Sequence, residues 1–258
     1  MPKSKKPKFR SVGKKNITLE ENQKDKVVAL PPRDFAFFFV GGAADKKSYY
    51  GMSPTNLIQD ARTALIDRLK SKGYDSEEIR QNSYHLGYDD AKGDEDIKVN
   101  FIERLQDTSS LVYLIGHSLG GWNSAHLSAI LTDKGYSVEY LVTLDPVGEG
   151  IGVAMLSDIY WSKPSPKYKD SNWINIRAEV PEKLMSADDT IADLGGQWNV
   201  TTGPSINETV SLHHGNAEGM FTIHLKGGKS ALDILVENFQ GYVKPKPPSG
   251  LPEIKIED

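Results

Sequence analysis

The run Gly116-His117-Ser118-Leu119-Gly120-Gly121 sets a serine between glycines two residues before and two after it. A serine hydroxyl is a poor nucleophile at neutral pH. It becomes useful when held exposed at the apex of a sharp turn, where glycines let neighbouring backbone approach. It then needs a base to take its proton and an acid to orient that base, and in a strand-turn-helix setting these follow in the order serine, acid, histidine. Asp145, in Leu144-Asp145-Pro146-Val147-Gly148, ends an apolar run at a proline and is the candidate acid. Asp-Pro is also an ordinary turn starter. The competing Asp158, Asp170, Asp188, Asp189 and Asp193 fall in stretches without regular patterning.

Four histidines follow the serine: His126, His213, His214 and His224. His126 belongs to the helix after the serine and is expected to face away from it, while His224 suits packing or the surface. His213 and His214 close a short apolar run, and His214, beside Gly215, is the favoured base with His213 as its alternative. His117 is expected to point away from the nucleophile along the turn. The oxyanion of acyl transfer needs two preorganised amide donors. One is the backbone N–H of Leu119. The other is sought in Val40-Gly41-Gly42-Ala43-Ala44-Asp45, at Ala43 with Gly42 as rival. This chemistry calls for no cofactor and no metal. The acidic stretch Asp89, Asp90, Asp94, Glu95 and Asp96 lacks calcium-loop spacing and reads as a solvated loop.

These residues need elements to hold them. Phe35 to Val40 is an unbroken apolar run ending at Gly41-Gly42, as a strand buried on both faces would be. A helix repeating Leu57, Ala61, Ala64, Leu65, Ile66 and Leu69 follows, with Ser53-Pro54 as its expected cap and Gly73 as its stop. A weaker strand spans Ile79 to Leu86 and a helix Ile97 to Leu105. Leu111 to Ile115 reads as strand, the serine motif as turn, and Trp122 to Leu131 as helix. Val138 to Leu144, Trp173 to Ala178 and Thr209 to Leu212 supply further strands, and Ser230 to Phe239 a last helix. Such alternation implies an α/β fold with a mostly parallel central sheet flanked by helices, its ligands beyond the carboxyl ends of the strands. Val147 to Ser171 and Val180 to Asn207 do not fit it and are expected as lid-like insertions, after Asp145 and after Val180. Within the first, Ile151 to Trp161 suits an acyl pocket, a lid or a core helix.

The 258 residues, 38% hydrophobic, suffice for one large core, read as a catalytic domain over 27–243 with a basic tail over 1–26 and a proline-rich tail over 244–258. A formal net charge of −4 gives no global field for nucleic acid. The lysine-rich start, Lys3 to Lys15, reads as a solvated tail, with membrane-surface contact as the other use. No apolar segment follows it as in a signal peptide, and no window approaches the ~18 apolar residues of a membrane span. The chain is therefore expected to be cytoplasmic in the producing cell. Absence of cysteine excludes disulfides and thiolate chemistry.

Gly116 to Gly121 followed by Leu144-Asp145-Pro146, with Gly41-Gly42-Ala43-Ala44-Asp45-Lys46 at the oxyanion position, resembles the lipase and phospholipase A1 branch of the α/β-hydrolases. The resemblance covers roughly residues 35–147 and implies the α/β-hydrolase fold, a nucleophile at Ser118, an acid at Asp145, an oxyanion donor at Ala43 and an acyl-lipid substrate. It departs in having Gly41 where the loop often carries histidine. More loosely, Asp189 to Asn199 followed by Ser211 to Met220 is similar to bacterial serine hydrolases that include type VI secretion lipase effectors. That would imply export without a signal peptide, with a secretion-apparatus or immunity-protein partner. A non-lipid carboxylesterase or thioesterase, and a non-catalytic lipid- or protein-binding member of the fold, are the alternatives.

Overall fold

The structure, a computed structural model, describes residues 34–47, 54–169 and 172–245. The expected tail over 1–26, the expected tail over 244–258 apart from residues 244 and 245, and the expected cap Ser53 lie outside the described residues. Six strands form one sheet of order β2-β1-β3-β4-β5-β6, parallel throughout. They are β1 (Phe35–Gly41), β2 (Ser83–Gly87), β3 (Leu111–His117), β4 (Ser137–Leu144), β5 (Trp173–Ala178) and β6 (Ile206–Val210). The helices are α1 (Leu57–Ser71), α2 (Ser76–Gln81), α3 (Asp94–Asn100), α4 (Leu119–Asp133), α5 (Ile151–Leu156), α6 (Ala187–Gly195), α7 (Ala217–Thr222) and α8 (Ala231–Tyr242).

The apolar run of β1 is continuous because both faces of the sheet are covered. Phe35, Phe37 and Phe39 enter one core with Leu65 and Leu69 of α1, Phe221 of α7 and Phe239 of α8. Ala36, Phe38 and Val40 enter the other with Ile97 of α3 and Ala125 and Leu127 of α4. Successive side chains of a strand point to opposite faces, so one strand feeds both cores. Chain direction across the sheet reverses at β1: the next strand, β2, lies on one side, and β3 followed by β4 on the other. Right-handed crossovers then put α1 and α4 on opposite faces, which is where they pack. The carboxyl ends of β1 and β3 thus flank the switch point where ligands bind in open parallel sheets.

Several element boundaries depart from the sequence pattern. Helix α1 begins after Asn56, which adopts φ 56°, and the N–H of Ile58 is accepted at 3.0 Å by the Asp45 carboxylate, so Pro54 stands ahead of the helix rather than in its first turn. Ile79 is the buried residue of α2 rather than the start of a strand. Helix α3 ends at Asn100 and continues only as a 3-10 turn over Ile102–Arg104. Each stretch expected to lack regular structure contains a helix, α5 in the first and α6 in the second. No residue of α5 is fully buried, so it is not a core helix, although its Val153 and Ala154 pack against the second core and Ile159 after it is buried there. Among the described residues no helix is long and apolar enough to cross a membrane.

Candidate active site

Ser118 stands between β3 and α4 with φ 56° and ψ −128°, a conformation unfavourable for a residue with a Cβ. Surrounding bonds hold it there. Its carbonyl accepts from the N–H groups of Gly121 at 2.9 Å and Val147 at 3.1 Å, and its own N–H donates to Leu144 at 3.1 Å. Two glycines make the turn possible by proximity. A Cβ at Gly120 would run into the Val40 carbonyl oxygen, and one at Gly42 would lie 2.5 Å from the Ser118 Cβ. The positive end of the α4 dipole faces the serine.

Asp145 follows β4 at φ 43°. Its N–H still pairs with Ile176 of β5 at 2.7 Å, so the chain leaves the sheet at this residue. His214 lies between β6 and α7. Leu212 before it packs on the core, and Ala217, Met220 and Phe221 after it are buried there. The three side chains meet. His214 Nδ1 lies 2.6 Å from Asp145 Oδ2, and His214 Nε2 lies 3.0 Å from Ser118 Oγ. A carboxylate can only accept, so Nδ1 carries the proton and Nε2 is left bare to accept from the serine hydroxyl. Asp145 is wholly buried, and Ser118 and His214 are each 7% exposed, enough to leave the reacting edge in reach of a small group.

Asp145 is not left with the imidazole alone. Its Oδ1 accepts from the Ala178 N–H at 3.1 Å, and the Gln197 amide nitrogen lies 3.0 and 2.8 Å from its two oxygens. The Gln197 carbonyl faces Arg177 Nη2 at 3.1 Å, which fixes the amide with its nitrogen toward the acid. On the base side, Asp189 Oδ1 accepts the His214 backbone N–H at 2.7 Å, and its Oδ2 lies 2.7 Å from His213 Nδ1. Burial opposes ionisation of Asp189, but His213, the His214 N–H and Ser186 outweigh it and hold the carboxyl well below its usual range.

His213 is therefore bonded to Asp189 on α6, and His214 occupies the position of the base. Asp189, set aside as a rival acid, is part of the site by another route. His117 points to the far side of the base, as its place beside the serine suggested. Its Nε2 donates to the His214 carbonyl at 2.8 Å, and the two rings are 4.7 Å apart. Its Nδ1 is buried without a hydrogen-bond partner among the described residues. Burial, together with the neighbouring His214, pushes its pKa down to about 4, so His117 is neutral at neutral pH. His126 bonds to the Ser162 carbonyl and His224 is 72% exposed, both away from the serine. Asp158 lies at the surface beside Lys92, and Asp170 is outside the described residues.

Leu119 is the first residue of α4, where an amide lacks an intrahelical acceptor. Ala43 is the partly buried residue after Gly42, on the loop that lies against Ser118. That loop is fastened by Asp45, 1% exposed, which caps α1 and bonds His85 at 3.1 Å. It is also fastened by Lys46 on Asp90 at 2.7 Å and Lys47 on Asp89 at 2.6 Å. This corrects the reading of those two aspartates as a purely solvated loop: Asp90 is half-buried, and Lys46 and the Gly87 N–H overcome its desolvation to keep its pKa low. Among the described residues no group of three or more His, Asp or Glu side chains is placed to hold a metal ion.

Gln197 carried no signal of its own in the sequence, since glutamine is neither titratable nor rare. The capping pattern Ser186-x-x-Asp189 could have revealed α6, and with it a helix carrying Asp189 toward the sheet's carboxyl edge. Comparison of the chain with protein-family models gives no match, and comparison with curated proteins gives none either.

Proposed function

We propose that this chain is a serine ester hydrolase of the α/β-hydrolase fold acting on acyl lipids. The observation that carries the chemistry is the continuous path from Ser118 Oγ through His214 to Asp145, at 3.0 and 2.6 Å, on a strained turn at the sheet's switch point. In this reading Ser118 Oγ attacks the ester carbonyl carbon as its proton passes to His214 Nε2. The resulting oxyanion is met by the N–H groups of Leu119 and Ala43. Collapse breaks the carbon–oxygen bond, and the departing alkoxide takes the proton from His214. Water then attacks the acyl-serine and gives its proton to the same nitrogen, and the acid leaves as Ser118 recovers its hydrogen.

The lipid part is supported by the segments after Asp145 and Val180, read here as insertions over the site. They expose Ile151 at 77%, Met155 and Leu156 at 68% each, Trp161 at 67% and Leu194 at 78%. Large apolar side chains left in solvent are candidates for contact with an apolar phase or partner. The test has two arms. A fluorophosphonate should label wild-type protein at Ser118 and leave Ser118→Ala unlabelled. Unlabelled wild-type enzyme should hydrolyse long-chain esters and phospholipids in preference to short soluble esters, and labelling should abolish that activity. No labelling makes the chain a binder rather than a hydrolase, and equal rates on short esters remove the lipid substrate.

A further inference from the structure

Helix α6 and the residues after it reach both partners of the nucleophile. Asp189, in the first turn, accepts the backbone N–H of His214 at 2.7 Å. Gln197, just past the end, donates to the Asp145 carboxylate at 2.8 and 3.0 Å. The two contacts are eight positions apart on one short segment and fall on residues 69 apart in the chain. The segment is itself well fastened. Ser186 and Asp189 form a reciprocal capping box, Gly196 receives the N–H groups of Gly148 and Glu149, and the Trp198 N–H donates to Pro146 at 2.7 Å.

We propose that the segment Ser186 to Trp198 is a brace that sets the acid and the base against each other, with Asp189 and Gln197 as its positioning residues. This rests on the hydrolase reading of Ser118, His214 and Asp145, and assigns those residues no new role. Asp189 fixes where the His214 backbone sits, and so the height of its ring over Ser118. Gln197 turns the Asp145 carboxylate so that Oδ2 faces the ring, and adds to the Ala178 N–H a second kind of contact on a fully buried carboxylate. Asp189 and Gln197 both line a cavity of about 400 Å³ together with Arg177, Glu182 and Asp193.

The chemistry distinguishes a brace from a merely structural helix. Removing the donors of Gln197 leaves more of the Asp145 charge to attract the His214 imidazolium. The acidic limb of the acylation rate should then move to higher pH. The other titratable or charged groups near this pair among the described residues include His117, His213, Asp45, Asp188, Asp189 and, through Gln197, Arg177, all unchanged in Gln197→Met. Asp189→Asn keeps an oxygen that can accept the His214 N–H, whereas Asp189→Ala does not.

The experiment uses the full chain and follows the rate of fluorophosphonate labelling of Ser118 against pH, alongside the low-field proton resonance of His214 Nδ1–H. Asp189→Ala and Gln197→Met, each checked for native near-ultraviolet circular dichroism, should acylate between roughly 10-fold and 100-fold more slowly and shift or broaden that resonance. The acidic limb should rise in Gln197→Met, and Asp189→Asn should recover most of the rate. Folded Asp189→Ala and Gln197→Met proteins that label within twofold of wild type, with limb and resonance unmoved, would overturn the brace. If wild-type protein is not labelled at all, the hydrolase reading fails instead. The resonance in wild type and in both variants then decides the brace by itself.

Discussion

At the scale of single residues, the site turns on which of two adjacent histidines faces the serine. Both make hydrogen bonds to carboxylates, His214 to Asp145 and His213 to Asp189, but His214 alone also meets Ser118 Oγ. Their variants should therefore differ sharply. His214→Ala removes the only proton acceptor within reach of Ser118 Oγ among the described residues and should lower kcat by at least ~10³-fold. His213→Ala removes one hydrogen bond to a carboxylate that keeps its Ser186 and His214 contacts, and should cost no more than about tenfold. Steady-state kinetics on a single ester substrate decides. Comparable losses in the two variants would mean that the ring assignments are exchanged during turnover.

At the scale of elements, α4, α5 and α6 behave differently because they bury different faces. Helix α4 buries ten residues, and its first turn after Ser118 is packed closely between β1 and Pro146. Helix α5 buries none, and its Met155 and Leu156 are left to solvent. Replacing exposed side chains changes folding stability little, by about 0.5 kcal/mol or less. A Met155→Ser, Leu156→Ser double variant should thus melt where the wild type does. If α5 meets the acyl phase, this variant should lose activity on phospholipid vesicles while retaining it on a short soluble ester. A parallel loss on both substrates, or none on either, would separate α5 from lipid contact.

At the scale of the whole molecule, burying a histidine against His214 links folding to pH. His117 is neutral in the fold, where its pKa is pushed from 6.5 to about 4 by burial and by His214. The unfolded chain therefore takes up a proton near 6.5 that the folded protein refuses until about 4. Its contribution to stability is full above 6.5 and is lost as pH falls toward about 4. Urea midpoints measured across that window should decline more steeply for wild type than for His117→Gln, whose amide can still donate to the His214 carbonyl. Equal slopes would remove His117 as a source of acid sensitivity.

Much of this was legible in the chain because it is local. A strand, a tight glycine turn and a helix are contiguous around Ser118, and the unbroken apolar run of Phe35 to Val40 reports burial on both faces of a sheet. Asp145 and the histidine pair could be read because each closes a strand-like run. Choosing between His213 and His214 required knowledge of what faces them, and the deciding bonds join residues 96 and 69 positions apart. The same holds for Gln197 on Asp145, at 52 positions, and Asp189 on His214, at 25. The amino-acid order by itself determined the main strands, the helices α1, α4 and α8, and the residue types capable of the chemistry, since backbone sterics and burial periodicity act over a few neighbours. Only the tertiary structure decided which nitrogen meets which oxygen, because a hydrogen bond is set by ångströms and angles that exist only once distant strands have closed into one sheet.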